Sequence, residues 1–300
     1  MIDFPMNFGR LAILVSLMTP CLVPAQVTDA DAAYRAGKYE TALELYRKSR
    51  ETESRSPERE RATAMIVRSF RASGQSSESY QEFFSLCRVA PFSEHFDCIP
   101  LVWFTSRSFT PVAVTADERL ALQWLSPTVN PSGIDNPAAS LLAASILISS
   151  AQNANRNKAK EQLEKLTFLG DAADRNRTEQ DRAGRVRRQI TLLAQMQLRR
   201  LQVATVKEES ELAAWESIVE NLPPSLRSGP YYVLGQAYAK VQNDEQAVLC
   251  WMRPPILFPE DRPLAAQSLQ EAAKALHRLK RDKQEQTLLD ELQRDYADFK

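Results

Sequence analysis

Glycine is scarce in this chain, with eight residues in 300, against an ordinary usage of about 7%. So few glycines leave little room for tight β-turns or for loops that cradle a phosphate. Neither G-x-G-x-x-G nor G-x-x-x-x-G-K occurs anywhere. Histidine is scarcer still, present only as His95 and His277, which removes the commonest general base from most of the chain. G-x-S-x-G, H-E-x-x-H and C-x-x-C are absent as well. Nor is there an excess of charge: 38 Lys and Arg face 38 Asp and Glu. That balance argues against a dedicated nucleic-acid binder, whose affinity comes largely from neutralising phosphates. What the chain has is apolar residues, 44% of the total, enough for a continuous core. Helix is the expectation from composition alone.

A strongly apolar stretch lies at the start. Arg10 precedes Leu11–Met18, and Val23-Pro24-Ala25 stands before Gln26. A basic n-region, a short apolar core and a small-residue cleavage pattern read as an export signal over residues 1–25. The run is shorter than the roughly 20 residues a membrane helix needs, and Pro20 and Pro24 interrupt its end. Cys21 is a candidate for lipid attachment, although Thr19-Pro20 before it suits that reaction poorly. No later segment is apolar enough to span a membrane. Export into an oxidising compartment permits a disulfide, and Cys87 with Cys98 would close a short loop across Pro91. Cys250 reads as a small buried hydrophobe.

Internal repeats decide the fold if they exist. Near the C-terminus, Tyr231-x2-Leu234-Gly235-x2-Tyr238 is followed by Ala247-x3-Trp251 and then Pro259. Residues three and four apart share one helix face, so the first group is a packing stripe. Gly235 and Ala247 are small where two helices should cross closely, and Asn243-Asp244 suits the turn between them. Pro254-Pro255 should shorten the second helix. A second unit, Ala33 to Tyr46, carries Gly37, Tyr39 and Ala42-x3-Tyr46; a looser copy has Ile66-Val67, Phe70, Gly74, Phe83 and Pro91. A last unit, Leu269 to Ala297, keeps the apolar seam without glycine or proline, as an end repeat facing water would.

These units resemble the tetratricopeptide repeat, with tyrosine in the leading tryptophan position, and the whole is similar to secreted bacterial proteins of that type. The resemblance covers residues 30–91 and 228–298. It implies an all-α, right-handed α-solenoid of antiparallel helix pairs that holds a partner and catalyses nothing. The expected organisation is a signal peptide over 1–25, repeats over 26–91, and a Pro-rich connector over 92–136. Degenerate helical repeats would follow over 137–227 and C-terminal repeats over 228–300. The connector should hold one short helix, about Ala116 to Leu125, with Trp124 pointing inward. Val186, Ile190, Leu193, Ala194 and Leu201 form an apolar seam at helical spacing in the middle.

Chemistry-bearing clusters are few. Cys87, His95, Asp97 and Cys98 could supply a thiolate with a base, or hold Zn²⁺, but only His95 and Cys98 have metal-ligand spacing. The plainer reading is a disulfide staple with His95 on its surface. Arg175, Arg177, Arg182, Arg185, Arg187 and Arg188 form a basic run that reads as the wet face of a helix. No cofactor, metal or nucleic acid is expected. If the packing stripe is inward, the adjoining positions are Tyr232, Gln236 and Lys240; the same offset gives Arg61, Arg68 and Arg71, and then Lys274, His277 and Arg278. These stripes are positive in a neutral chain. They point to a concave groove for an acidic or carboxylate-ended peptide. The expected role is a protein-binding scaffold of the bacterial cell envelope. The alternatives are a thiol- or Zn-dependent enzyme at Cys87, His95 and Cys98, and a structural oligomer subunit.

Overall fold

A computed structural model describes residues 25–104, 111–126, 128–129, 135–169 and 182–299. Residues 1–24 of the expected export signal, Cys21, Arg175 and Arg177 lie outside them. Every regular element among the described residues is helical. The first four helices are α1 (Ala25–Arg35), α2 (Tyr39–Thr52), α3 (Ser56–Ala72) and α4 (Ser76–Val89). The middle contains α5 (Pro111–Trp124), α6 (Pro137–Leu147), α7 (Asn153–Thr167), α8 (Arg182–Gln202) and α9 (Ala213–Asn221). The last four are α10 (Ser228–Lys240), α11 (Asp244–Leu257), α12 (Arg262–Arg278) and α13 (Asp282–Asp295). Successive helices pack on one another within α1–α4, α5–α8 and α10–α13.

The repeat is written in the backbone more plainly than in the sequence. Four turns, between α1 and α2, α3 and α4, α10 and α11, and α12 and α13, each contain one left-handed residue: Gly37, Gly74, Gln242 and Lys280. In every case the next residue donates its N–H to the carbonyl five residues back: Lys38 to Ala33, Gln75 to Phe70, Asn243 to Tyr238 and Arg281 to Leu276, at 2.8–3.0 Å. This closes a Schellman-type helix end and satisfies carbonyls that would otherwise lack donors. Counted from the left-handed residue, the positions seven and four earlier are always buried: Ala30 and Ala33, Val67 and Phe70, Gly235 and Tyr238, Ala273 and Leu276. The positions five and nine later are buried in three of the hairpins, as Ala42 and Tyr46, Ser79 and Phe83, and Ala247 and Trp251. In α13 they become Glu285 and Leu289, which are not buried, because this helix faces outward.

Glycine pays nothing for positive φ, whereas Gln242 and Lys280 carry a Cβ at φ 64° and 57°. Gln242→Gly and Lys280→Gly should therefore each stabilise the fold by about 0.5–1 kcal/mol. A rise in the thermal midpoint checks this.

Some local expectations need correction. Helix α11 continues through Pro254 and Pro255 to Leu257. Both prolines fall in its final turns, where the helix loses the donors to the Cys250 and Trp251 carbonyls and little helix follows, and both are buried. Leu201 leaves the apolar seam of α8 and is 40% exposed, because Gln197 and Arg200 take the inward positions there and bind the carbonyl of Val102. Trp124 does point inward, stacked on Phe84 with ring centroids 4.9 Å apart.

Two features depart from a simple open stack. First, the ends meet: α3 touches α12, and Arg71 Nη2 lies 2.5 Å from Asp261 Oδ2 across 190 residues of sequence. Second, the irregular segment Ile99–Phe104 runs through the middle of the molecule. Ile99, Leu101 and Trp103 are buried. The carbonyl of Ile99 accepts from Arg71 on α3 at 3.4 Å. The N–H of Val102 donates to Ser145 on α6 at 3.3 Å. Gln197 and Arg200 on α8 donate to the carbonyl of Val102 at 3.0 and 2.9 Å. Trp103 lies against Gly229 of α10, so closely that a Cβ there would fall 2.0 Å from the indole. A loop rich in proline by sequence is thus a central strut.

Candidate functional site

The meeting of the two ends leaves a cleft of about 720 Å³. Its walls are the α1–α2 turn at Lys38–Thr41, the α3–α4 turn at Ser73–Gly74, the strut at Pro100–Phe104, and the start of α12 at Asp261–Leu264. The C-terminal residues Asp298 and Phe299 complete it. Formal charge is balanced across these walls: Lys38, Arg71 and Arg262 face Glu40, Asp261 and Asp298. Aromatic rings from Tyr39, Tyr80, Trp103, Phe104 and Phe299 supply apolar surface between them.

At its base, Asp261 is buried and pairs with Arg71, whose side chain keeps 24% exposure. Ser228 donates to the same carboxylate at 3.3 Å. Burial pushes the Asp261 carboxyl above its ordinary range, more strongly than Arg71 and Ser228 pull it down. Beside the strut, Arg200 has three neutral acceptors, the Val102 carbonyl, Ser149 Oγ at 2.8 Å and Gln197 Oε1 at 3.5 Å. Burial lowers its pKa to about 10. Arg262 donates to the carbonyl of Asp295 at 3.0 Å and sits over the rings of Tyr296 and Phe299, 5.5 Å from each centroid. Phe299 is only half-buried, so its contact with Gly74 and Arg262 contributes about 1 kcal/mol.

The positive stripes proposed from sequence do not form a bare cationic wall. Arg61 pairs with Asp31 at 2.6 Å, Arg68 with Asp97 at 2.9 Å and Arg71 with Asp261. Lys274 pairs with Glu271 at 2.8 Å, and Arg278 with Asp244 at 2.5 Å. Each of these five cations has a carboxylate within reach, from another part of the fold for the four arginines and from its own helix for Lys274. Tyr232 is not on an exposed stripe: it is buried, with its ring centroid 5.9 Å from that of Phe104 and its carbonyl accepting from Trp251 Nε1 at 3.2 Å. Leu234, Gly235 and Tyr238 are buried as the stripe requires, and at its start Tyr231 is the partly exposed member, stacked under Arg253. Gln236 donates to the Tyr232 hydroxyl at 3.2 Å. Lys240 is exposed at the end of α10. Of these residues, only Arg71 borders the cleft.

Cys87 and Cys98 are buried and unbonded, as is Cys250. Burial raises the thiols of Cys87 and Cys98, Cys98 to about 12, which disfavours the thiolate needed for nucleophilic attack or metal binding. His95 is half-buried with Glu94 3.7 Å from its Nε2, and burial lowers its pKa. Asp97 is engaged by Arg68. Among the described residues, the one trio with ligand atoms close enough for an ion is His277, Asp282 and Glu285 at the α12–α13 turn, on the surface. Of the basic run, Arg182 pairs with Glu60 and Glu94 at 3.6 and 3.5 Å, and Arg187 lies over the Phe92 ring. No helix among the described residues is long and apolar enough to cross a membrane.

The chain matches no known protein family and no curated protein. What defines its class is therefore the architecture: an all-helical protein built largely of adjacent antiparallel pairs, with a central strut and joined ends.

Proposed function

We propose that this is an exported, partner-holding repeat protein of the bacterial cell envelope, of right-handed tetratricopeptide type and without catalytic activity. One observation carries the reading: four hairpins share the same left-handed turn position and the same buried register in their first helices. Tandem units of this sort present extended side-chain surfaces, and binding is what such surfaces do. The chemistry of the thiols supports it further, since Cys87 and Cys98 are sealed in the core with raised pKa values. The leader pattern at Arg10 to Ala25 supports export. Because Ile99–Phe104 fills the space between the helices, we place the partner at the cleft between the ends. Affinity capture from envelope extract with residues 26–300 as bait should retain a partner that co-elutes as a stoichiometric complex. Recovery of nothing beyond the bait rejects the reading.

A structural oligomer is the second reading, favoured by Leu249 and Ile256, which are exposed on one face of α11. Gel filtration separates the two, since a partner-holding monomer runs at the mass of one chain.

A further inference from the structure

We infer that the segment Asp298–Phe299 is a resident, displaceable part of the cleft wall, and that the cleft accepts an extended partner peptide that brings an aromatic residue to Gly74 and Arg262. The inference deepens the partner-holding reading and rests on it. The tail shows what the cleft recognises. Phe299 covers Gly74, whose missing side chain is required: a Cβ there would lie 2.9 Å from the Phe299 ring. Arg262 lies over both tail rings, and its Nη2 is 4.0 Å from Asp298. The Phe299 ring is thus received by one glycine and one guanidinium, while Asp298 stays 87% exposed.

Two kinds of aromatic bound this cleft, and they are held differently. Trp103 is buried and wedged against Gly229, so it is permanent structure. Phe299 is half-exposed and reaches the cleft only from the chain end. Its own backbone is tied locally, the N–H donating to the Tyr296 carbonyl at 3.0 Å. Tyr296 is buried and anchors the short turn. With the tail seated, about 720 Å³ stays open beside it. A partner carrying the same aromatic residue and further residues fills that space and so outcompetes the tail.

A tethered tail competes at an effective concentration on the order of millimolar, so removing a contact of this strength should strengthen binding in trans by about fivefold. The probe is a fluorescein-labelled Tyr-Ala-Asp-Phe-Lys peptide, the chain's own last five residues. Fluorescence polarisation should show it binding to a chain ending at Tyr296, and to full-length Phe299→Ala, about fivefold more tightly than to the wild type. A peptide with Phe replaced by Ala should not bind. The point variant keeps the test valid if truncation harms folding, and thermal denaturation reports that. Equal affinity for all three chains, no binding up to millimolar peptide, or equal binding of the Ala peptide overturns the inference. Capture of an envelope partner that is indifferent to Phe299→Ala retains the partner-holding reading and rejects this one.

Discussion

Gly229→Ala should destabilise the protein by about 3 kcal/mol, at the upper end for overpacking a core. A methyl group there would fall 2.0 Å from Cε2 and Nε1 of Trp103, well inside contact distance, against a rigid ring with no terminal atoms to swing away. Trp103 is buried among helices that hold the strut from several sides, so neither partner can retreat cheaply. In a domain of this size that loss lowers the thermal midpoint by several degrees. Trp103→Leu in the same chain should restore part of the loss, giving strongly non-additive energies in a double-mutant cycle. A midpoint unchanged by Gly229→Ala would show that α10 does not press on the strut.

Arg71→Ala should cost about 3–5 kcal/mol, and Asp261→Asn distinctly less. Removing one member of a buried ion pair strands the other, and the two are not equally wet. Asp261 keeps 8% exposure against 24% for Arg71, so the carboxylate is the worse charge to abandon. Asparagine leaves Arg71 able to reach water and to donate to the Ile99 carbonyl. Urea titration of both variants checks the order. The pH dependence follows the same logic. Asp261 has a raised pKa in the folded state, so the folded protein holds a proton that the unfolded chain has already released. Its contribution to stability therefore falls as pH rises from the ordinary carboxylate range through the raised value. Asp261→Asn removes that slope. Arg71→Ala, which removes the neighbour that lowers the pKa, extends it to higher pH.

Which parts of this molecule were legible in the sequence depends on the range of the physics. The hairpins were: Tyr231 to Trp251 and Ala33 to Tyr46 announce themselves because the pattern of small and aromatic residues is set by neighbours along the chain. The shared turn geometry at Gln242 and Lys280 was hidden, because the Schellman-type helix end imposes a left-handed conformation on exposed residues that do not advertise it. The groove assignment failed at Tyr232, since helix faces are about 100° apart per residue and a stripe has no sharp edge. The cationic stripes were read without their carboxylates, most of which come from elsewhere in the fold, as Asp244 does to Arg278. The cleft was beyond reach. Nothing local links Arg71 to Asp261, or Gly74 to Phe299. The one available hint was Gly229-Pro230 at a helix start, a glycine where no turn requires it.

Linear arrays melt from their outer units inward, because an end unit has one neighbour instead of two. Here the contact of α3 with α12 gives the second and the last hairpins an extra neighbour, while α1 and α2 keep a small core of their own against Ile66 and Phe70. The second and last hairpins therefore share one another's fate, and α1–α2 is left as the unit that opens first.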